Sequence, residues 1–139
     1  VLLGGPGETR IAGAIEQGMR HPAVNLSGML GLDELAYVIS RLDLLVTNDS
    51  GPMHIGAAAG TPLVALFGPA RPGQFGPCAP PERCRLIWHE IGCRPCPQDR
   101  CPHPRCMEMI TAEEVFDGCC GLLQAQTRSD RALTMGGTS

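Results

Sequence analysis

Two apolar runs, Leu42 to Val46 and Leu63 to Phe67, bracket the turn-forming stretch Asn48-Asp49-Ser50-Gly51-Pro52, a run of small residues from Gly56 to Ala59, and Gly60-Thr61-Pro62. Short apolar runs bounded by turn residues mark strands buried on both faces, so this stretch predicts strand, tight turn, short helix, strand. Val1 to Gly4 and Val24-Asn25-Leu26 read as further strands, and so does Cys84 to Trp88. Between them Ile11, Ala14, Ile15 and Met19 recur at helical spacing, as do Leu32, Leu35, Ala36 and Ile39, and the second set is expected to face a core. Thr111-Ala112-Glu113-Glu114 is a capping box, opening a helix whose apolar face is Val115, Phe116, Cys119, Leu122 and Leu123. Strands alternating with helices predict an α/β fold, a Rossmann-like parallel sheet with flanking helices, as one domain over residues 1–123. Ala70 to Pro81, dense in Pro and Gly, is expected to be a long loop beside the central turn, and the polar stretch Gln124 to Ser139 a disordered tail.

The central turn carries the candidate chemistry. Asp49 and Ser50 are helix-capping residue types, and Pro52 suits a first helical turn, where its missing N–H would be unpaired anyway. At such a start the N–H groups of Ser50 and Gly51 point outward with the positive end of the helix dipole behind them. An anion such as a phosphate fits there. His54, about one turn in, leans back toward the same opening and is a candidate donor to a bound oxygen. Asp49, a second negative charge beside a diphosphate, is better placed as a cap or on a sugar hydroxyl. The bland alternative is a good strand-to-helix turn with His54 packed in the core.

Composition narrows the classes without choosing among them. The chain has 139 residues, enough for one α/β domain, with 43% hydrophobic and only 4% aromatic residues, which fits a core of Leu, Ile, Val and Ala. No apolar run approaches the roughly 20 residues of a membrane span, so no transmembrane segment is expected. A net charge of −3 disfavours nucleic acid as a partner. All eleven basic residues are arginine. Val1-Leu2-Leu3-Gly4 reads as a strand already under way, and the chain is expected to be the C-terminal part of a longer protein.

Cys93, Cys96, Cys101 and Cys106 are spaced C-x2-C-x4-C-x4-C on a proline-rich stretch, a spacing that could hold a structural Zn²⁺ tetrahedrally. Paired disulfides and a metal-free loop are the alternatives. Cys119 and Cys120 read as buried or incidental thiols.

The run Asp49-Ser50-Gly51-Pro52-Met53-His54, with the small-residue helix, Gly-Thr-Pro, the apolar strand and Phe67-Gly68-Pro69, closely resembles the C-terminal half of family 9 glycosyltransferases, the ADP-heptose:lipopolysaccharide heptosyltransferases. The resemblance covers Val1 to about Leu123. It implies a GT-B fold of two Rossmann-like halves, this half taking the nucleotide sugar with its diphosphate at Ser50, Gly51 and His54. It also implies Glu8 at the ribose, where a first-turn charge is the simpler reading, and the backbone at Leu30 against the adenine. Transfer of a heptose from an ADP-sugar donor to a lipid-linked saccharide acceptor would then need an upstream half for the acceptor, a carboxylate and a lysine. No cofactor is required for transfer on this reading, and the setting would be cytoplasmic. A UDP-sugar transferase or epimerase, or a zinc-stabilised binding module, are the rivals, because a helix-start phosphate site does not encode the base.

Overall fold

The computed structural model describes residues 1–94, 96 and 101–135, from 128 on as backbone alone. The chain forms two compact units, Val1–Val38 and Ile39–Ser139, where the sequence predicts a single domain.

In the first unit the two predicted strands shrink to one parallel bridge, Leu2 with Asn25. Leu2 N–H donates to Val24 O and Leu26 N–H to Leu2 O, and Gly28 N–H continues the ladder onto Gly4 O. A 3-10 turn at Pro6–Glu8 leads into α1 (Thr9–Gly18), and α2 (Leu32–Ser40) begins in this unit. The helix forms where the spacing predicts it, with Ile11, Ile15 and Met19 exposed and Ala12 its buried residue. In α2 Leu32 is likewise exposed, while Ile39 is fully buried in the second unit.

The second unit is built on a parallel sheet in the order β1 (Leu45–Asn48), β2 (Leu63–Leu66), β3 (Cys84–Ile87), with Leu45 opposite Leu63 and Leu63 opposite Cys84. Parallel strands need a crossover, and α3 (Gly51–Ala59) supplies it between β1 and β2. The central strand is the reason the apolar run is continuous: Leu63, Val64 and Ala65 are all fully buried, covered on both faces. On one face α3 comes close, since a β-carbon on Gly56 would stand 2.8 Å from Leu45 Cδ2 and force that side chain to shift. On the other, Val64, Ile87 and Leu122 form a cluster joined by Leu44, Leu66, Ile110, Val115 and Cys119.

After β2 the expected loop contains a short helix, α4 (Pro72–Phe75), and a 3-10 turn at Pro81–Arg83. A further turn of helix, α5 (Arg105–Glu108), precedes α6 (Ala112–Met135). The capping box is formed as predicted, Glu114 N–H to Thr111 Oγ1 at 3.2 Å and Thr111 N–H to Glu114 Oε2 at 2.9 Å. The predicted tail is corrected: α6 continues through Gln124 to Met135, because Gln, Ala, Arg and Leu are good helix formers and no Gly or Pro interrupts them. Residues 136–139 of that predicted tail lie outside the described residues. No helix is long and apolar enough to cross a membrane among the described residues.

Candidate functional site

The turn from Asn48 to Met53 leaves the carboxyl end of β1. Asp49 N–H extends the ladder by donating to Leu66 O at 3.1 Å, which seats the turn against the end of β2. Ser50 is the N-cap of α3 in extended backbone, yet its side chain does not cap; its hydroxyl donates back to Asn48 O at 3.2 Å. The first helical bond that closes is Met53 N–H to Ser50 O at 3.1 Å. The N–H groups of Ser50 and Gly51 therefore have no protein acceptor among the described residues, and both residues are exposed. With Pro52 contributing no N–H, these two donors carry the positive end of the α3 dipole into solvent.

His54 is exposed and its ring makes no hydrogen bond among the described residues. That excludes the reading of it as a packed core histidine. It stands at the fourth position of α3, one helical turn after the N-cap Ser50. Asp49 is half-buried, and the cap role expected of it is not met, because among the described residues no hydrogen bond joins its carboxylate to the helix start, whose N-cap is Ser50. The chain places Ser50, not Asp49, at the cap position.

Glu8 and Leu30 belong to the first unit. Glu8 Oε2 accepts the Gly5 N–H at 2.7 Å, so one of its oxygens already serves the turn of which it is part. Leu30 is half-buried in the loop that Ser27 begins, where Asn25 Oδ1 accepts both the Ser27 N–H and its hydroxyl.

The four cysteines do not assemble. Cys93 and Cys101 are exposed, Cys96 and Cys106 half-buried, and all are free thiols. Among the described residues no three His, Cys, Asp or Glu side chains come together as a metal site, so the donor set does not fit the tetrahedral zinc that the spacing suggests. Instead Cys96 N–H donates to Pro69 O at 3.4 Å, and Cys106 Sγ lies 3.8 Å from where a β-carbon on Gly68 would stand. Cys119 and Cys120 are half-buried rather than buried, and burial, then the neighbouring Cys120, pushes the Cys119 thiol up. Burial also raises the Cys84 thiol.

A concavity of about 580 Å³ lies away from the donor turn, between β3 and α6, bordered by Cys84, Leu86, Trp88, Glu114 and Gly118. Arg85, Glu114 and Asp117 are its charged lining residues, and Glu114 Oε2 also meets His89 Nε2 at 3.1 Å. The Thr111 N–H and then this bond hold the Glu114 carboxyl below its ordinary value. Arg94, in the cysteine-rich stretch, is a buried polar residue that sequence reasoning passes over. An arginine in a Pro- and Cys-rich loop is exposed by default, and nothing in its neighbours marks it otherwise.

The sequence profile of glycosyltransferase family 9 (heptosyltransferase) matches residues 1–106. Lipooligosaccharide heptosyltransferase 2 of Campylobacter jejuni serotype O:2 is 36% identical over 102 residues, covering 72% of this chain and 32% of its own length. Lipopolysaccharide heptosyltransferase 2 of Escherichia coli K12 is 43% identical over 70 residues, 48% of this chain and 20% of its own. The solved structure of the E. coli ADP-heptose lps heptosyltransferase II superimposes with a TM-score of 0.76 at 28% identity, over 91% of this chain and 36% of that one. A family 9 glycosyl transferase from Veillonella parvula gives 0.70 at 28%, over 88% and 35%. The chain thus spans about a third of the length of these two structures.

Proposed function

The chain belongs to glycosyltransferase family 9, the heptosyltransferases, and from that premise we propose that it supplies the nucleotide-sugar half of an enzyme that moves a heptose from ADP-heptose to a hydroxyl of a lipid-linked core saccharide. The observation that supports this reading is that the Ser50 and Gly51 N–H groups at the start of α3, and His54 one turn on, are exposed and without a hydrogen-bond partner among the described residues.

When the sugar leaves, negative charge grows on the β-phosphate of the departing diphosphate. Donors fixed before the reaction stabilise that charge more than they stabilise the bound substrate, and that difference is what lowers the barrier. Ser50 and Gly51 offer main-chain N–H groups that cannot swing away, and His54 adds a side-chain donor from the same helix. Deprotonating the acceptor hydroxyl is left to residues outside this chain. For the ribose we propose Glu8, whose Oε1 is not engaged by the turn it caps, and for the adenine the backbone at Leu30.

Calorimetric titration of the chain with ADP, UDP and GDP tests the reading. ADP should bind more tightly than UDP or GDP. A preference for UDP would replace the donor with a UDP-sugar, and no binding of any of the three would contradict the phosphate role of the turn.

A further inference from the structure

Arg94 is only 7% exposed. Its Nη1 donates to Ala70 O at 2.9 Å and its Nη2 to His89 O at 3.0 Å, while its guanidinium carbon lies 5.2 Å from the centre of the Trp88 ring. Among the described residues no carboxylate pairs with it, and its Nε–H is buried without an acceptor. Burying a guanidinium is costly unless its donors are met. A buried arginine whose bonds all go to main-chain carbonyls is therefore fixing backbone rather than balancing charge.

The two carbonyls lie on separate segments. Ala70 follows the exit of β2, and His89 follows the exit of β3. Cys96 N–H to Pro69 O and Arg71 Nη2 to Arg94 O, at 3.5 Å, stitch the same segments from either side. The exit of β2 is tight in its own right, because Met107 Sδ stands 2.6 Å from the position a β-carbon on Gly68 would take. From there a row of main-chain bonds leads to the donor turn: Phe67 N–H to Ile87 O at 3.0 Å, then Asp49 N–H to Leu66 O.

We propose that Arg94 is a positioning residue for the diphosphate: by clamping the exits of β2 and β3 together it holds Leu66 O where Asp49 N–H needs it, and so keeps the Ser50 and Gly51 donors aimed outward. This rests on the nucleotide reading of that turn. Arg94 touches no substrate; it acts through the backbone it fixes. Preorganised donors gain their advantage from not having to be reoriented on binding, and a clamp one strand away preserves it.

Trp88 is the only tryptophan, so its emission reports the guanidinium stack directly. The test is a calorimetric titration of the whole chain with ADP, run beside Trp88 emission and melting curves, for the unmodified protein, Arg94→Lys and Arg94→Ala. Temperatures are kept well below melting, so that every variant is folded. Lysine keeps the charge but cannot reach both carbonyls or stack as a plane. Both variants should shift Trp88 emission, and Arg94→Lys should weaken ADP binding about tenfold, the worth of roughly one hydrogen bond, with Arg94→Ala weaker still. Should Arg94→Ala fail to fold, Arg94→Lys decides. A variant that melts earlier yet binds ADP with the unmodified Kd would overturn the positioning role, and unchanged Trp88 emission would overturn the clamp. Unmodified protein that binds no nucleoside diphosphate overturns the reading of the donor turn itself, and this is seen before any variant is made.

Discussion

The carboxyl ends of β1 and β2 lie side by side, yet they treat polar groups in opposite ways. At the end of β1 two N–H donors and an imidazole stand exposed with no hydrogen-bond partner among the described residues. At the end of β2 Phe67 and Gly68 are buried, and Ala70 O and His89 O are held by a guanidinium that is itself inside. Polar groups left unpaired are usually those that water or a ligand can reach, so the first arrangement leaves its donors available to a bound group, while the second spends most of its donors on holding backbone, with Arg94 Nε–H the buried exception. The open side depends on the closed one, because the bond that seats the turn ends on Leu66 O.

Breaking the closed side should therefore cost stability and breaking the open side should not. Phe67 is fully buried, and Phe67→Ala should lower stability by about 3–5 kcal/mol, read from urea denaturation at constant m-value. Gly68→Ala is a smaller insult to the same place. Its β-carbon meets Met107 Sδ, a flexible side chain that can yield in part, and a loss of about 1–3 kcal/mol is expected. A cost indistinguishable from zero would show that this exit is looser than its packing implies.

On the open side Ser50→Ala should change stability by less than about 0.5 kcal/mol, well under the ~1 kcal/mol usual for losing a serine cap, because this hydroxyl does not cap the helix. A full capping loss on thermal denaturation would mean that the hydroxyl turns inward in solution.

A fourth expectation concerns pH. Glu114 is held below its ordinary value by the Thr111 N–H and then by His89. Its folded pKa is thus lower than its unfolded one, so its contribution is present above the unfolded value and lost as pH falls through the folded value. Melting temperature should drop as the solution is acidified through the carboxylate range, and Glu114→Gln should flatten part of that slope. An identical slope in the variant would remove Glu114 from the account.

Much of the second unit is legible in the sequence because one signal settles it. A continuous apolar run flanked by turn residues means a central parallel strand, and β2 is that strand; likewise Thr111 and Glu114 announce the start of α6. The helical spacing of Ile11, Ile15 and Met19 correctly marks a helix, but periodicity tells which residues share a face, not whether anything covers it. The polarity of Gln124 onward predicts disorder, whereas helix propensity, with the Gln126 side chain donating to Asp43 O, carries α6 through that stretch. Cysteine spacing shows what a loop could reach, and the path of the backbone decides what it gathers. Arg94 is invisible in advance, since its burial follows from two carbonyls far apart in sequence that only the folded sheet brings together.

The central claim is that the turn after β1 is a ligand site and not a structural corner, and His54 tests it most directly. Because His54 is exposed and has no hydrogen bond among the described residues, His54→Ala should leave the melting temperature within the change expected of about 0.5 kcal/mol. Measured by calorimetry on the same preparation, its ADP affinity should fall by about tenfold or more, roughly the loss of one hydrogen bond to a charged group. A variant that binds ADP as well as the unmodified chain, or that melts markedly earlier, would contradict the account.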